Sequence, residues 1–185
     1  MQSYQQIYGL ITRGFQEQIP MAIKFSKHTR ELIRLTREEA ERLEHKQLGN
    51  EHLMLGMIRS GRGLGPELLK TLGVDLQELK YDIERALQAS HTETACCEMS
   101  FRESAEKSLK QSYLEAKYYH SRFIETEHLL LGILKDSDNA VSLSLKRSGI
   151  EAQTLETALE AYLTKQKPLK RGLKLLSSRL SQLFD

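Results

Sequence analysis

Two short motifs bring together residues whose types could do chemistry: Asn50-Glu51-His52 and Thr126-Glu127-His128, each followed by three apolar residues and a glycine. A carboxylate suits a guanidinium or ammonium group, and the unpaired N–H groups at a helix start suit an anion. Catalysis is harder to support, because adjacent side chains diverge by about 100° around a helix and cannot form one dyad. The pattern therefore predicts that these residues recognise a bound group without processing it.

Other catalytic patterns are missing from the sequence. It contains no H-E-x-x-H or G-x-S-x-G motif and no plausible nucleophile–base set. Gly61, Gly63 and Gly65 lack the Lys-Ser/Thr pair that completes a phosphate-cradling loop. We therefore expect a non-enzymatic segment with no catalytic residue and no metal site.

The two motifs belong to an internal duplication. Glu51 and Glu127 lie 76 positions apart, and the same offset holds without a gap across the flanking sequence. The matching pairs are Phe25/Phe101, Glu39-Ala40/Glu115-Ala116, Leu69-Lys70/Leu145-Lys146, Gly73/Gly149, Leu79/Leu155, Glu84/Glu160 and Leu87/Leu163. This constant offset indicates a tandem repeat, so we expect both copies to have the same fold.

Two interpretations of the repeated motif stay open at this point. In the first, Asn50 and Thr126 are N-caps, the leucines enter the core, the glycines allow close helix approach and the histidines are merely hydrogen-bonded. In the second, the two copies pack with pseudo-twofold symmetry, so that Glu51 and Glu127 lie on one surface. That surface would recognise peptides.

Composition sets the broad class of protein. The chain has 185 residues, 39% hydrophobic and 28% charged, with three prolines, no tryptophan and a formal net charge of +2. These values are ordinary for a helical protein, and the charge does not point to nucleic acid. No run is long enough to span a membrane, and no secretory signal is visible. The only cysteines, Cys96 and Cys97, are adjacent, so we expect a reducing, cytoplasmic setting.

Helical periodicity predicts an all-α fold of two four-helix repeats, eight helices in total, with no strand pattern. Caps and breakers place the helices of the first repeat at about 26–44, 51–59, 66–72 and 76–88. Those of the second repeat are expected at about 102–119, 127–135, 139–148 and 151–163.

The predicted domain boundaries follow from the repeats. Residues 1–24 form an N-terminal extension, 25–88 the first repeat, 89–100 a linker, 101–164 the second repeat and 165–185 a basic tail. Leucines at 169, 173, 176, 180 and 183 give the tail one apolar helical face. A basic amphipathic helix of this kind packs on its own protein, on a partner or on a membrane surface, and we expect the first of these.

The repeats resemble a known family. The first copy is similar to a Clp N-terminal repeat at Phe25-Ser26, Glu38-Glu39-Ala40, His45, residues 49–59 and Leu72-Gly73-Val74. The second copy resembles it at Glu115-Ala116-Lys117 and at residues 126–135. The resemblance covers about residues 25–164 and points to the ClpC branch of the Hsp100/Clp unfoldases, which feed the ClpP protease.

The resemblance implies a double-repeat N-domain that docks adaptor proteins and protein substrates, in bacterial cytoplasm or the plastid stroma. ATP and Mg²⁺ would be used only by AAA+ modules outside this segment, which itself needs no cofactor. In some ClpC proteins the domain also binds phosphorylated arginine. The implied partners are adaptors, substrates, the rest of the Clp ATPase and, indirectly, ClpP, with neither nucleic acid nor membrane.

The family's guanidinium-binding glutamates fall on Glu51 and Glu127, and a hydroxyl residue at the phosphate end falls on Ser26. Arg102 holds that position in the second copy, where it would pair with a phosphate. With Asn50 and Thr126 these residues form the predicted peptide- or phosphoarginine-binding set. Two further positions depart from the family pattern: Glu125 replaces a glycine and would repel a phosphate, and Ser121 replaces the histidine that His45 matches.

Three functions compete at this stage. The first is a docking domain of a ClpC-type unfoldase, and the second is a stand-alone Clp-repeat subunit that regulates a Clp protease complex. The third, ranked lowest, is nucleic-acid binding through the basic tail, because the repeats themselves carry no basic stripe.

Overall fold

The computed structural model describes residues 24–89 and 99–165, and in these ranges the chain forms eight α-helices and four two-residue strands. The first repeat comprises β1 (Lys24–Phe25), α1 (Lys27–Arg42), β2 (Gln47–Leu48), α2 (Asn50–Ser60), α3 (Leu64–Thr71) and α4 (Leu76–Ala89). The second repeat comprises β3 (Ser100–Phe101), α5 (Glu103–Tyr118), β4 (Phe123–Ile124), α6 (Thr126–Leu134), α7 (Ala140–Arg147) and α8 (residues 152–165).

The two repeats have the same architecture. Each helix of the second repeat begins 76 positions after its counterpart in the first, as does each strand. Gly73 and Gly149 follow the third helices with φ of 82° and 74°, as predicted for glycines that end helices. The predicted all-α double repeat is confirmed. The predicted domain boundaries stay predictions, and residues 1–23, the middle of the linker and the tail after Lys165 lie outside the described residues.

Four short strands, which the sequence did not predict, connect the repeats. β1 pairs in parallel with β4, with Lys24 opposite Phe123, and β2 pairs in parallel with β3, with Gln47 opposite Ser100. Replacing every residue of one pair by its counterpart 76 positions away generates the other pair. The repeats are therefore related by pseudo-twofold symmetry. Two residues are too few to show an alternating pattern, and each partner is far away in sequence.

Glycine at the centre of the repeated motif lets the first two helices of each repeat touch. A Cβ atom on Gly56 would lie 2.8 Å from the carbonyl oxygen of Leu32, and one on Gly132 would overlap that of Ser108. The leucines beside these glycines enter the core as predicted: Leu53, Leu55, Leu129 and Leu131 are buried. The helices therefore approach so closely that only glycine fits at the crossing.

A buried carboxylate in each repeat reinforces the same helix pair. Glu39 on α1 accepts hydrogen bonds from Arg59 at 2.9 Å and from Arg42 at 2.8 Å. Its counterpart Glu115 on α5 lies 2.7 Å from the ammonium of Lys135. Both basic partners stand near the C-terminal ends of α2 and α6, where the helix dipole also favours a cation. This explains why Glu-Ala recurs in both copies.

We expect Gly56→Ala and Gly132→Ala each to destabilise the protein by about 1–3 kcal/mol, because the added methyl groups collide with backbone atoms. Alanine normally stabilises a helix relative to glycine by about 1 kcal/mol. A loss of stability on substitution with alanine would therefore show that the two helices cross too closely for a methyl group. Urea unfolding of both variants measures it. Lys70→Ala, at an exposed position of α3, serves as a control with little effect, and stabilisation by Gly56→Ala would contradict the packing described above.

Candidate functional site

The repeated motif begins one residue earlier than predicted. The N-cap residues are Gly49 for α2 and Glu125 for α6, so the prediction that Asn50 and Thr126 are N-caps is wrong. The reason is that the histidine side chain closes the helix start. The backbone N–H of Gly49 donates to Nδ1 of His52 at 3.0 Å, and that of Glu125 donates to Nδ1 of His128 at the same distance.

Both histidines are structural and uncharged. The pKa of His52 is lowered to about 4, first by burial and then by the nearby His45 and Arg102. Burial likewise lowers the pKa of His128 to about 4. Because Nδ1 accepts a hydrogen bond, the proton of neutral His52 is on Nε2, which lies 2.9 Å from Nδ1 of His45. The predicted hydrogen-bonded role of the histidines is confirmed.

Asn50 and Thr126 occupy equivalent buried positions with different surroundings. The hydroxyl of Thr126 accepts a hydrogen bond from the N–H of Gly65 at 3.0 Å. A Cβ atom on Gly63 or Gly65 would collide with Thr126, so these glycines let α3 reach the start of α6. The amide of Asn50 is fully buried, and neither its nitrogen nor its oxygen has a hydrogen-bond partner. An unpaired buried amide is costly, which makes this helix start unusual.

Glu51 and Arg102 meet at Gly49, although they come from different repeats. The N–H of Arg102 donates to the carbonyl oxygen of Leu48 at 2.8 Å, next to the β2–β3 pair. A Cβ atom on Gly49 would overlap Oε2 of Glu51 and lie 3.6 Å from Cδ of Arg102. Nε of Arg102 is buried without a hydrogen-bond partner. We call Gly49, Asn50, Glu51 and Arg102 the first site.

Ser26 stands at the equivalent place beside the second glutamate. Its N–H donates to the carbonyl oxygen of Ile124 at 3.0 Å, three residues before Glu127. Its hydroxyl accepts from the N–H of Thr29 at 3.2 Å and is thereby the N-cap of α1. We call Ser26, Glu125, Thr126 and Glu127 the second site. The duplication thus yields two sites, each built from both repeats, a grouping that the sequence did not show.

The second site is more acidic than the first. Glu125 stands where the first site has Gly49, and Glu67 approaches from α3. The pKa of Glu127 is raised to about 7, first by burial and then by the carboxylates of Glu125 and Glu67, while the hydrogen bond from the Thr126 hydroxyl at 3.4 Å opposes the shift. Arg102 has no counterpart here, because position 26 is serine. The two sites therefore differ in charge although their backbones match.

Both sites are small groups of charged and polar side chains at a helix start. Across residues 24–89 and 99–165, no three His, Cys, Asp or Glu side chains are grouped so that they could hold a metal ion. The described helices include none with the length and apolar character needed to cross a membrane. What the sites offer is a carboxylate, a helix start and, at the first site, a guanidinium group. This chemistry suits binding.

The fold and site define a double helical-repeat binding domain. The sequence profile of the Clp repeat (R) N-terminal domain matches residues 24–148 and again residues 100–185. The chain belongs to the Clp repeat N-terminal domain family. The rice (Oryza sativa subsp. japonica) chloroplastic chaperone ClpC1 is 30% identical over 149 residues, which is 80% of this chain and 16% of that protein.

Similar curated proteins include one from the bacterium Chlamydia pneumoniae and chloroplastic chaperones from plants, and the chain spans between 14% and 16% of the length of these relatives. Among solved structures, the N-terminal domain of ClpD from Arabidopsis thaliana has a TM-score of 0.62 at 19% identity, over 80% of this chain and 99% of that one. A ClpV N-domain in complex with a VipB peptide has a TM-score of 0.58 at 14% identity, over 75% and 91% of the respective chains. Both show the shared fold.

The raised pKa of Glu127 predicts that the free energy of unfolding depends on pH. The folded protein binds a proton at Glu127 between the ordinary carboxyl pKa of 4.5 and about 7, where the unfolded chain does not. Stability contributed by this group is therefore lost as pH rises through 7. We expect Glu127→Gln to stabilise the protein by about 1–2 kcal/mol at pH 8 and to have no effect near pH 4.

Urea unfolding of the two proteins at several pH values measures this difference. Because the histidines are common to both proteins, their titration cancels in the comparison. Glu78→Gln reports the effect of removing an exposed helix carboxylate. A stability difference that is the same at pH 4 and pH 8 would contradict the raised pKa.

Proposed function

We propose that this chain is the substrate- and adaptor-docking domain of a ClpC-type protein unfoldase that works with the ClpP protease. Membership of the family and the similarity to chloroplastic ClpC over most of the chain support it. The matched residues make up only 16% of the rice ClpC1 protein, which leaves room for ATPase modules outside the matched segment. The cytoplasm or the plastid stroma is the proposed location, and ATP and Mg²⁺ would be bound outside this domain.

The first site is the proposed ligand site, and its ligand is a phosphorylated arginine side chain of a tagged substrate. The ligand has a guanidinium group next to a phosphate, so it needs a carboxylate beside a cation. Glu51 and Arg102 supply this pair on either side of Gly49. The buried, unpaired Nε of Arg102 is the observation that carries the proposal, because a phosphate oxygen would satisfy it.

The start of α2 adds to the attraction for a phosphate. The first N–H groups of an α-helix have no partner within the helix and carry a partial positive charge. A side chain at position 49 would displace the carboxylate end of Glu51, so the glycine leaves this carboxylate its place beside the helix start. The uncharged His52 behind it holds the loop without adding a charge.

The second site lacks this combination of charges. The carboxylates of Glu125 and Glu67 act on Glu127, whose pKa is raised to about 7. Position 26 is serine where the first site has Arg102, and the guanidinium of Arg30 donates instead to the backbone carbonyl of Ser26 at 3.4 Å. The hydroxyl of Ser26 already accepts the hydrogen bond that caps α1. Like charges repel a phosphate, so phosphoarginine binding at this site is proposed to be weak or absent.

Calorimetry with free phosphoarginine tests the site. We expect the wild-type protein to bind one equivalent, and Glu51→Ala and Arg102→Gln each to weaken binding by about tenfold or more, as expected for losing a charge-assisted partner. Glu127→Gln is the matched control at the second site and is expected to retain binding. No heat from the wild-type protein at millimolar ligand, or equal binding by all four proteins, would contradict the proposal.

Competition in trans tests the docking role. We expect an excess of the chain to inhibit degradation of a phosphoarginine-tagged substrate by the Clp ATPase and ClpP of the same organism, because it sequesters the substrate. Added substrate should relieve the inhibition, and the Arg102→Gln variant should inhibit less. Stimulation of degradation would instead support a regulatory accessory subunit.

A further inference from the structure

The second repeat carries large apolar side chains on its surface where the first repeat is polar. Leu114 and Tyr118 on α5 are 52% and 70% exposed, and Phe123 on β4 is 44% exposed. Leu114 and Tyr118 are four residues apart and therefore share one helix face, and β4 contacts α5. We call Leu114, Tyr118 and Phe123 the apolar face.

The first repeat provides an internal comparison. Its residues at the same positions are Glu38, Arg42 and Gln47. Glu38 pairs with Arg34 and, at 3.1 Å, with Arg59, and Arg42 pairs with Glu84 and, at 2.8 Å, with Glu39. The fold therefore does not need apolar residues at these positions. Their exposure in the second repeat indicates an interaction surface.

Three basic residues neighbour the apolar face in sequence or in strand register, and Glu125 is the acid two positions after Phe123. Lys117 and Arg122 are exposed neighbours in sequence, and Lys24 is the register partner of Phe123 in the β1–β4 pair. None of these three side chains forms an ion pair within the part of the chain that the structure describes. The acids that act on the neighbouring Tyr119 are Glu156, Glu160 and the buried Glu115, and Glu156 and Glu115 both pair with Lys135.

We propose that the apolar face docks an acidic peptide segment that carries leucine or aromatic residues. Charge complementarity supports this occupant, since the apolar side chains would be buried while acids of the partner meet Lys24, Lys117 and Arg122. Tyr118 is a preformed anchor, because its ring packs perpendicular to that of Tyr119 at 5.1 Å. The tail of this chain does not match this occupant in charge, because its sequence is basic. After residue 165 it contains a single acid, Asp185, and five basic residues, namely Lys167, Lys170, Arg171, Lys174 and Arg179.

The apolar face is separate from the first site. Leu114 lies twelve residues beyond Arg102 along α5, which is about 18 Å at the rise of an α-helix. The inference rests on the proposed docking function but concerns a second contact, which a partner would use independently of phosphoarginine. Binding at the two places is therefore measurable separately.

Fluorescence anisotropy tests the face with a labelled short peptide in which Asp and Glu alternate with Leu and Phe. We expect the double variant Leu114→Glu with Tyr118→Arg to weaken binding at least about tenfold. This variant carries the residues that the first repeat has at these positions, so it is expected to fold. Lys117→Glu with Arg122→Glu should weaken binding as well. Tyr81→Arg, which removes an exposed tyrosine from α4, is the matched control and should bind like the wild type.

Phosphoarginine calorimetry on the same variants separates this inference from the proposed function, since the first site should bind normally in all of them. Failure of the wild type to bind the acidic peptide at millimolar concentration would overturn the inference, as would equal affinity for the peptide with Lys in place of its acids. Two further outcomes would also overturn it. One is tighter binding of a single-stranded oligonucleotide that is lost in the Leu114 and Tyr118 variant, and the other is self-association lost in that variant.

Discussion

Reciprocal strand pairing between the repeats is the constraint on which the rest of the structure depends. β1 of the first repeat pairs with β4 of the second, and β2 of the first pairs with β3 of the second. Each pair contributes only a few backbone hydrogen bonds, but each leads directly into a helix start. The residue after β3 is Arg102, and the residue after β2 is Gly49. Pairing these strands therefore brings a cation from one repeat to the glutamate of the other.

The helix crossings inside each repeat make this arrangement rigid. Gly56 and Gly132 let backbones touch, and the buried carboxylates of Glu39 and Glu115 pair with Arg59 and Lys135 near the C-terminal ends of the same helices. At the N-terminal ends of α2 and α6, His52 and His128 accept hydrogen bonds from the backbone N–H groups of the cap residues. The glutamates beside these histidines are consequently held in place by the scaffold, which a preorganised site requires.

Duplication followed by divergence accounts for the functional asymmetry that we propose. The shared backbone keeps both helix starts, whereas single side chains change what each can bind. Arg102 against Ser26, and Gly49 against Glu125, make one site suited to a phosphate and the other unsuited. In the same way Leu114 and Tyr118 replace an ion-paired Glu38 and Arg42 on the opposite copy. Comparing equivalent positions of the two repeats therefore shows which side chains the fold does not require.

Much of this fold could be predicted from the sequence, because the Glu-His motif, the glycines after the third helices and several apolar positions recur at a gapless offset of 76 residues. The cap assignments failed by one residue, since Asn50 looks like a better cap than glycine until the histidine three residues after Gly49 is seen to accept its N–H. The strands were missed because two residues carry no pattern. The grouping of Glu51 with Arg102 depends on tertiary pairing between residues 51 positions apart, which no local signal contains. Glu125 in the place of Gly49 was visible in the sequence, but the pKa of Glu127 is raised first by burial, which the sequence does not show, and only then by Glu125 and Glu67.

A crystal structure of this protein with phosphoarginine tests the central claim most directly, namely that the binding site is assembled from both repeats. The account predicts one ligand at Gly49, with its guanidinium on the carboxylate of Glu51 and its phosphate on Arg102. A ligand bound entirely within one repeat, or bound at Glu127 while the place beside Glu51 stays empty, would contradict it.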